Sequence, residues 1–152
     1  MTIHENGGFE TAVMTDEQRK AVALEYLVRM DRGGDFLSLL DDHARVYFPK
    51  WGLAKGREQY TQLFTDLMGI LKSVEHHNSY FNYVIQGDMV VIEGTTAGVT
   101  AKDIPWRAGT GHAGNWCDVF EIRDFKIHRL AIYLDPDYGG EDTDRYPWLK
   151  DR

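Results

Sequence analysis

The sequence predicts one α+β domain in which three N-terminal helices pack on one face of a curved antiparallel sheet. Before residue 72, apolar side chains recur in steps of three and four, the period of an α-helix. After residue 73 the pattern alternates, and β-branched and aromatic residues become frequent, as in strands. The chain has 152 residues, of which 43% are hydrophobic, so it is long enough to bury one core. Helices followed by strands are typical of the α+β class.

The first predicted helix begins with a capping box at Thr15. A threonine here can accept a hydrogen bond from the amide of Gln18, whose side chain reaches back to the threonine amide. The apolar residues that follow at helical spacing are Val22, Ala23, Tyr26, Leu27 and Met30. Gly33-Gly34 ends the helix, because glycine readily adopts the left-handed conformation of a C-cap.

Two more helices and a short strand complete the first half of the chain. Asp35 can cap the second helix, which is short and ends near Asp41-Asp42. The remaining predicted elements are a strand over Ala44–Phe48, a loop over Trp51–Gly56 and a third helix over Arg57–Leu71. The third helix has the strongest helical pattern in the chain, with Phe64 on its apolar face.

Four strands are predicted in the second half of the chain. Their ranges are Val74–Gln86, Met89–Thr100, His112–Ile122 and Ile127–Asp135. A turn at Gly87-Asp88 and a loop over Ala101–Thr110 separate the first three. The last two strands form a tight hairpin, although Phe125 occupies a turn position where glycine is usual.

The last hairpin predicts a dimer interface. A turn centred on Asp124-Phe125 places Ile122 opposite Ile127, and Asp118 opposite Ala131. One face then carries Trp116, Asp118, Phe120, Ile122, Ile127, Arg129, Ala131 and Tyr133. The other face carries Cys117, Val119, Leu130, Ile132 and Leu134. Because both faces are apolar, we expect helices on the first and a second copy of the chain on the second. The alternative is that the C-terminal tail folds over the second face.

Composition excludes several classes of partner. The net charge of −7 disfavours nucleic acid and anionic membrane surfaces, and no apolar run is long enough to span a bilayer. The single cysteine, Cys117, allows no internal disulfide, and residues 1–9 contain no apolar stretch typical of a signal peptide. We therefore expect a cytoplasmic protein with a flexible segment over residues 1–14 and a single domain over residues 15–152.

Three short motifs carry a resemblance to a known superfamily. They are Gly34-Asp35-Phe36 between the first two helices, Gly56-Arg57-Glu58-Gln59-Tyr60 at the third helix, and Asp118-Val119-Phe120-Glu121-Ile122 in the closing hairpin. In this order and spacing, the chain resembles the nuclear transport factor 2-like (NTF2-like) superfamily, and within it the SnoaL-like and ketosteroid isomerase-like group. The resemblance implies a cone-shaped, cystatin-like fold with a pocket between sheet and helices. It implies no single function, because the superfamily includes isomerases, cyclases, dehydratases and non-catalytic binding modules.

Asp118 is the first candidate catalytic residue. It lies in mid-strand among apolar neighbours, and such surroundings raise the pKa of a carboxyl group. By its register from the hairpin, it falls at the position of the protonated acid that serves as an oxyanion donor in ketosteroid isomerase. Asp118 is therefore a candidate acid, base or oxyanion donor. The alternative is a structural ion pair with Arg129.

Two tyrosines and two histidines are further catalytic candidates. Tyr26 lies on the buried face of the first helix, near the oxyanion-binding tyrosine of ketosteroid isomerase-like proteins, and Tyr133 faces the same way as Asp118. His76 and His77 are neighbours on a strand, so only one of them faces the pocket. The alternatives are core tyrosines with satisfied hydroxyls and an exposed histidine pair.

Two familiar reactions of the superfamily are disfavoured. Phe48 stands before Pro49, where ketosteroid isomerase has its catalytic base. Glu93-Gly94-Thr95-Thr96 replaces the Arg-x-Asp of limonene epoxide hydrolase-like proteins, and Ile132 replaces their last-strand acid. Neither double-bond isomerisation of that type nor epoxide hydrolysis is therefore expected.

Two functional hypotheses remain. The first is cofactor-independent acid/base catalysis of the isomerase, cyclase or dehydratase type on a small hydrophobic oxygenated molecule. The residues expected to shape its pocket are Trp116, Phe120, Trp51, Arg129 and Phe64. No metal site is expected, because the histidines lack the spacing of zinc motifs. The second hypothesis is a non-catalytic ligand-binding or dimerisation module. A buried, unpaired Asp118 beside a cavity would favour the first.

Overall fold

The computed structural model describes residues 2–3, 9–10, 13–146 and 148, and this part of the chain contains two α-helices rather than three. Helix α1 (Asp16–Asp31) begins at the predicted capping box. Thr15 Oγ1 accepts a hydrogen bond from the Gln18 amide at 3.1 Å, and Gln18 Oε1 accepts one from the Thr15 amide at 2.9 Å. Helix α2 (Gly56–Ile70) matches the predicted third helix to within one residue at each end. None of the described helices is long and apolar enough to cross a bilayer.

The predicted second helix is a single 3₁₀ turn over Leu37–Leu39. Phe36 rather than Asp35 is its N-cap residue, although Asp35 Oδ1 accepts a hydrogen bond from the Ser38 amide at 3.1 Å. The turn ends at once because Leu40 already belongs to a strand, where it is fully buried and pairs with Ile127. Burial of Leu40 in the sheet therefore overrides the local helical pattern.

The sheet contains eight described strands beside a separate small hairpin at the N-terminus. The hairpin pairs β1 (Thr2–Ile3) with β2 (Phe9–Glu10), and most of the predicted flexible segment around it lies outside the described residues. The strands of the main sheet are β3 (Leu40–Phe48), β4 (Gly52–Lys55), β5 (Leu71–His76), β6 (Asn82–Gln86), β7 (Met89–Thr100), β8 (Pro105–Arg107), β9 (Asn115–Arg123) and β10 (Lys126–Leu134). Their order is β4-β3-β10-β9-β7-β5, and β6 and β8 also pair with β7. The sheet is curved and does not close into a barrel.

Three of the predicted ranges are corrected by the pairing of strands. The loops expected at Trp51–Gly56 and Ala101–Thr110 contain β4 and β8. The single strand expected over Val74–Gln86 is split into β5 and β6 by a 3₁₀ turn at Asn78–Tyr80. The split occurs because the two pieces pair with opposite halves of the long β7. The sheet is also mixed rather than antiparallel, since β10 lies parallel to β3.

A register shift in β10 overturns the predicted dimer face. Ile127 pairs with Ile122 as predicted, but an irregularity between Ile127 and Arg129 shifts the following residues, so that Asp118 pairs with Ile132 rather than Ala131. Beyond this point the two faces of β10 are exchanged. The side chains at 130, 132 and 134 therefore belong to the core, and no partner can pack on them. Arg129, Ala131 and Tyr133 lie on the outer face instead.

Arg19 joins the start of α1 to the far end of the sheet. Its side chain is buried and donates three hydrogen bonds, from Nε to the Ile122 carbonyl at 3.1 Å, from one terminal nitrogen to the Met14 carbonyl at 2.9 Å, and from the other to Asp88 Oδ1 at 3.1 Å. These bonds connect the helix to the end of β9 and to the turn before β7. At this end of the molecule, each nitrogen of the buried Arg19 guanidinium therefore has a hydrogen-bond acceptor.

Candidate active site

A small cavity lies between the two helices and the inner face of the sheet, at the end of the molecule opposite Arg19. Its volume is about 40 Å³. The walls are mainly aliphatic and aromatic, and the polar residues among them are Tyr26, His76, Thr96, Asp118 and Tyr138, together with the indoles of Trp106 and Trp116. At roughly 10–15 Å³ for each water-sized probe, this space holds about three water molecules.

Asp118 is a buried carboxyl group in the wall of this cavity. Only 3% of the residue is exposed, and no hydrogen bond or ion pair reaches its carboxyl group from the described residues. The structural alternative, a pair with Arg129, is wrong, because Arg129 lies on the outer face and contacts Glu121 Oε1 at 3.2 Å. Burial raises the pKa of Asp118 well above its ordinary value. The carboxyl group can therefore be neutral where an exposed aspartate is ionised.

Tyr26 contributes a second polar group to the same cavity. The side chain is fully buried on α1, and its hydroxyl has no hydrogen-bond partner among the described residues. Its ring packs edge-on against Phe36 and Phe120, with centroids 5.5 and 5.7 Å away. Burial raises the pKa of Tyr26, and the charge of Asp118 raises it further. The tyrosine thus remains a neutral hydrogen-bond donor close to Asp118.

His76 faces the cavity and is oriented by Asp31 at the end of α1. The His76 amide donates to Asp31 Oδ2 at 2.8 Å, and His76 Nδ1 lies 2.5 Å from Asp31 Oδ1. A carboxylate only accepts hydrogen bonds, so Nδ1 carries the hydrogen and Nε2 is left as the basic nitrogen. The ring also packs edge-on against Trp116 at 5.1 Å. The end of α1, the end of β5 and the Trp116 ring therefore fix this imidazole.

The middle of the chain matches a known family. The model of the SnoaL-like domain matches residues 19–130. The chain belongs to this SnoaL-like family. The match confirms the resemblance of the three sequence motifs, and the matched region contains Asp118, Tyr26 and His76.

Solved structures similar to this SnoaL-like chain confirm its NTF2-like fold. An NTF2-like protein from Anabaena variabilis has 20% identity and a TM-score of 0.65, with 86% of this chain and 98% of that chain covered. A putative polyketide cyclase from Xanthomonas campestris has 14% identity and a TM-score of 0.68, covering 82% and 95%. TerC, crystallised with polyporic acid, has 14% identity and a TM-score of 0.65, covering 89% and 99%. No curated protein matches the chain.

Several predicted site residues of the SnoaL-like chain lie away from the cavity. His77 directly follows the last residue of β5 and does not line the cavity, and its Nδ1 lies 2.8 Å from Thr95 Oγ1. Tyr133 is half exposed on the outer face beside Tyr47, because of the shift in β10. Among the predicted pocket residues, Phe64 and Trp116 line the cavity. Phe120 packs behind Tyr26, and Trp51 packs behind Phe48.

The sequence patterns did not indicate that Tyr138 and Trp106 line the cavity. Tyr138 lies in the acidic tail and is only 8% exposed, and its ring packs on Trp106 with 4.7 Å between centroids. Burial raises the pKa of Tyr138 above its ordinary value, and the charges of Asp118 and Asp135 add to this. Gly98 makes room for Trp106, since a Cβ there would lie 2.5 Å from the indole. An aspartate-rich turn around Pro136 is the sequence signal that the tail returns to the protein.

Proposed function

We propose that this SnoaL-like protein catalyses cofactor-independent proton transfer on a small, hydrophobic, oxygenated molecule. The observation that carries the proposal is Asp118, a buried carboxyl group without a partner among the described residues, in the wall of a cavity it shares with Tyr26 and His76. Keeping an unpaired carboxyl group inside a core costs stability, and groups of this kind concentrate at functional sites. A purely structural role would provide Asp118 with a donor.

The three residues form a complete set for enolate chemistry. His76 Nε2 takes a proton from the carbon next to a substrate carbonyl, and the C–H electron pair moves into the enolate. The neutral Asp118 and Tyr26 donate hydrogen bonds to the oxyanion that forms. His76 then returns the proton to a different carbon of a conjugated enolate, as in isomerisation, or the enolate carbon attacks a second carbonyl, whose oxygen takes the proton from His76, as in cyclisation. Asp31 holds the imidazole in the tautomer that this role requires.

The family supports testing one substrate class first. The similar structures include putative polyketide cyclases, and the resemblance to the NTF2-like superfamily implies a pocket between the sheet and the helices. We propose aromatic polyketides first, with steroids and monoterpene ketones as the next classes. A thermal-shift screen requires no knowledge of the reaction. A ligand that binds only the folded state at a hundredfold excess over Kd stabilises it by about 2.7 kcal/mol.

The test compares wild type with Asp118→Asn and a matched control. Asp66→Asn makes the same chemical change at an exposed position of α2, where an amide oxygen can still accept from Gln62. We expect Asp118→Asn, which replaces an acid donor by a weaker amide donor, to lower turnover of any substrate found by up to about 10²-fold, while Asp66→Asn leaves turnover unchanged. Unchanged turnover in Asp118→Asn would contradict the proposed role.

A second proposal concerns a homodimer formed through the outer face of the sheet. The register of six strands aligns one apolar row across this face: Leu53, Tyr47, Ala131, Val119, Val91 and Val84. Beside this row, Lys55 and Arg45 are exposed at the β4 end, whereas Glu93 is exposed toward the β6 end. When two copies pack through this face around a twofold axis, the basic end of one copy can lie against the acidic end of the other.

The dimer proposal is tested at the centre of this row. Val119 is half-buried in the middle strand, so Val119→Arg places a charge at the centre of the proposed interface. We expect a dimer for wild type and a monomer for Val119→Arg in native mass spectrometry at micromolar concentration. Val13→Arg, at a site that is 85% exposed, serves as the control and should leave the dimer intact. A monomeric wild type would refute the proposal.

A further inference from the structure

Tyr138 separates the cavity from a larger cleft on the surface. The cleft has a volume of about 430 Å³ and lies between residues 50, 69–70, 100–104 and 136–142. Among the described residues, Tyr138 alone lines both the cavity and the cleft. The cleft also has an apolar part, because Ile70 and Ile104 are exposed there. A molecule that passed Tyr138 would therefore contact apolar surface on both sides.

The segment that carries Tyr138 is held by a few local hydrogen bonds. Asp135 Oδ1 accepts from the Asp137 amide at 3.0 Å, and Asp137 Oδ2 accepts from the Asp142 amide at 3.1 Å. No hydrogen bond from the described residues reaches the Tyr138 hydroxyl, so packing on Trp106 is what retains the ring. Displacing the ring would break side-chain packing but no strand pairing. Short segments held in this way are among the first parts of a protein to open.

The cavity is too small for the ligands that the proposed function requires. About 40 Å³ is far below the roughly 300 Å³ or more of ordinary ligand pockets. The cleft beyond Tyr138 has the missing volume. Removal of one ring would join the two spaces without a change in either helix.

We propose that Tyr138 is the specificity-determining residue of the site, a movable aromatic gate that controls how long a ligand can be. This inference rests on the proposed function for the size of the ligand and for the position of its reactive end. The ligand is an elongated molecule with its oxygenated end at Asp118 and its apolar end along Ile70 and Ile104. This ligand reaches the cavity only when the Tyr138 ring is displaced. Molecules small enough for the closed cavity bind with the ring in place.

The experiment measures binding of 2-naphthol by its fluorescence to wild type, Tyr138→Ala and Tyr138→Phe. If the open state is populated at 10% or less, removing the ring tightens binding by at least about tenfold. Tyr138→Phe keeps the ring and should bind like wild type. Tyr80→Ala, which removes an exposed tyrosine from the opposite side of the sheet, is the control and should also bind like wild type. Wild-type affinity in Tyr138→Ala would overturn the proposal, as would a Tyr138→Phe that binds as tightly as Tyr138→Ala.

Two further variants complete the experiment. The first keeps the proposal testable if Tyr138→Ala does not fold, and the second distinguishes failure of the gate from failure of the proposed function. Asp137→Ala retains the ring but removes the acceptor for the Asp142 amide, so we expect faster association of 2-naphthol. An unchanged association rate would overturn the gate. Asp118→Ala, which removes the donor, tests the other end of the ligand. If Asp118→Ala has no effect while Tyr138→Ala tightens binding, the gate stands and the role of Asp118 fails, and the reverse result overturns the gate alone.

Discussion

The two buried ionisable groups at opposite ends of this domain differ in their hydrogen bonding. Arg19 has an acceptor for each of its three donor nitrogens, two of them backbone carbonyls. Asp118 is equally buried and has no donor among the described residues. A satisfied buried charge fixes structure, whereas an unsatisfied carboxyl group destabilises the fold unless it is neutral. The contrast indicates a structural role for the Arg19 end and supports the proposed functional role of the Asp118 end.

The largest expected effect comes from removing the satisfied group. Arg19→Met keeps the length of the side chain but leaves the carbonyls of Met14 and Ile122 without their donor. At about 1–3 kcal/mol for each of the two buried groups left unsatisfied, we expect the free energy of unfolding to fall by roughly 2–6 kcal/mol. Urea denaturation measures this change.

A control on the same helix sharpens the comparison. Arg29→Met removes a partly exposed arginine that pairs with Glu25 at 2.8 Å and donates to the Asp35 carbonyl at 3.1 Å, and because both contacts are exposed we expect their loss to cost about 1 kcal/mol or less. If Arg19→Met and Arg29→Met cost the same, the Arg19 end would have no special structural role, and the contrast with Asp118 would fail.

The comparison also separates what the sequence could predict from what it could not. Strand alternation and helical spacing are local patterns, so they predict Asp118, Tyr26 and one of the two histidines at the pocket, and the structure brings Asp118, Tyr26 and His76 to one cavity. Their catalytic roles remain predictions. The α1 capping box was also predictable, because it involves residues only three positions apart.

The errors come from contacts between distant parts of the chain. The irregularity after Ile127 moves Tyr133 and Arg129 to the outer face, and a shift of one residue leaves no trace in an alternating pattern of apolar side chains. Asp31 and Tyr138 reach the site from a helix end and a tail far away in sequence. The turn at Asp124 and Phe125 was placed correctly, with φ of 50° and 59°, although neither residue is glycine.

The smaller expected effect is a pH dependence that only the Asp118 end should show. Burial raises the pKa of Asp118 in the folded state, so above the pKa of about 3.9 of an unfolded aspartate, the folded state holds one more proton than the unfolded state. The contribution of this group to stability therefore falls as the pH rises from about 4 toward the folded pKa, by at most about 1.4 kcal/mol per pH unit. Asp118→Asn lacks this loss, so we expect its stability relative to wild type to improve between pH 4 and pH 7 in urea denaturation. Asp66→Asn should show no such trend, because that carboxylate is exposed.

A constant difference between Asp118→Asn and wild type would mean that Asp118 ionises in the folded protein as easily as in the unfolded chain. The carboxyl group would then have a partner, and the two ends of the domain would not differ.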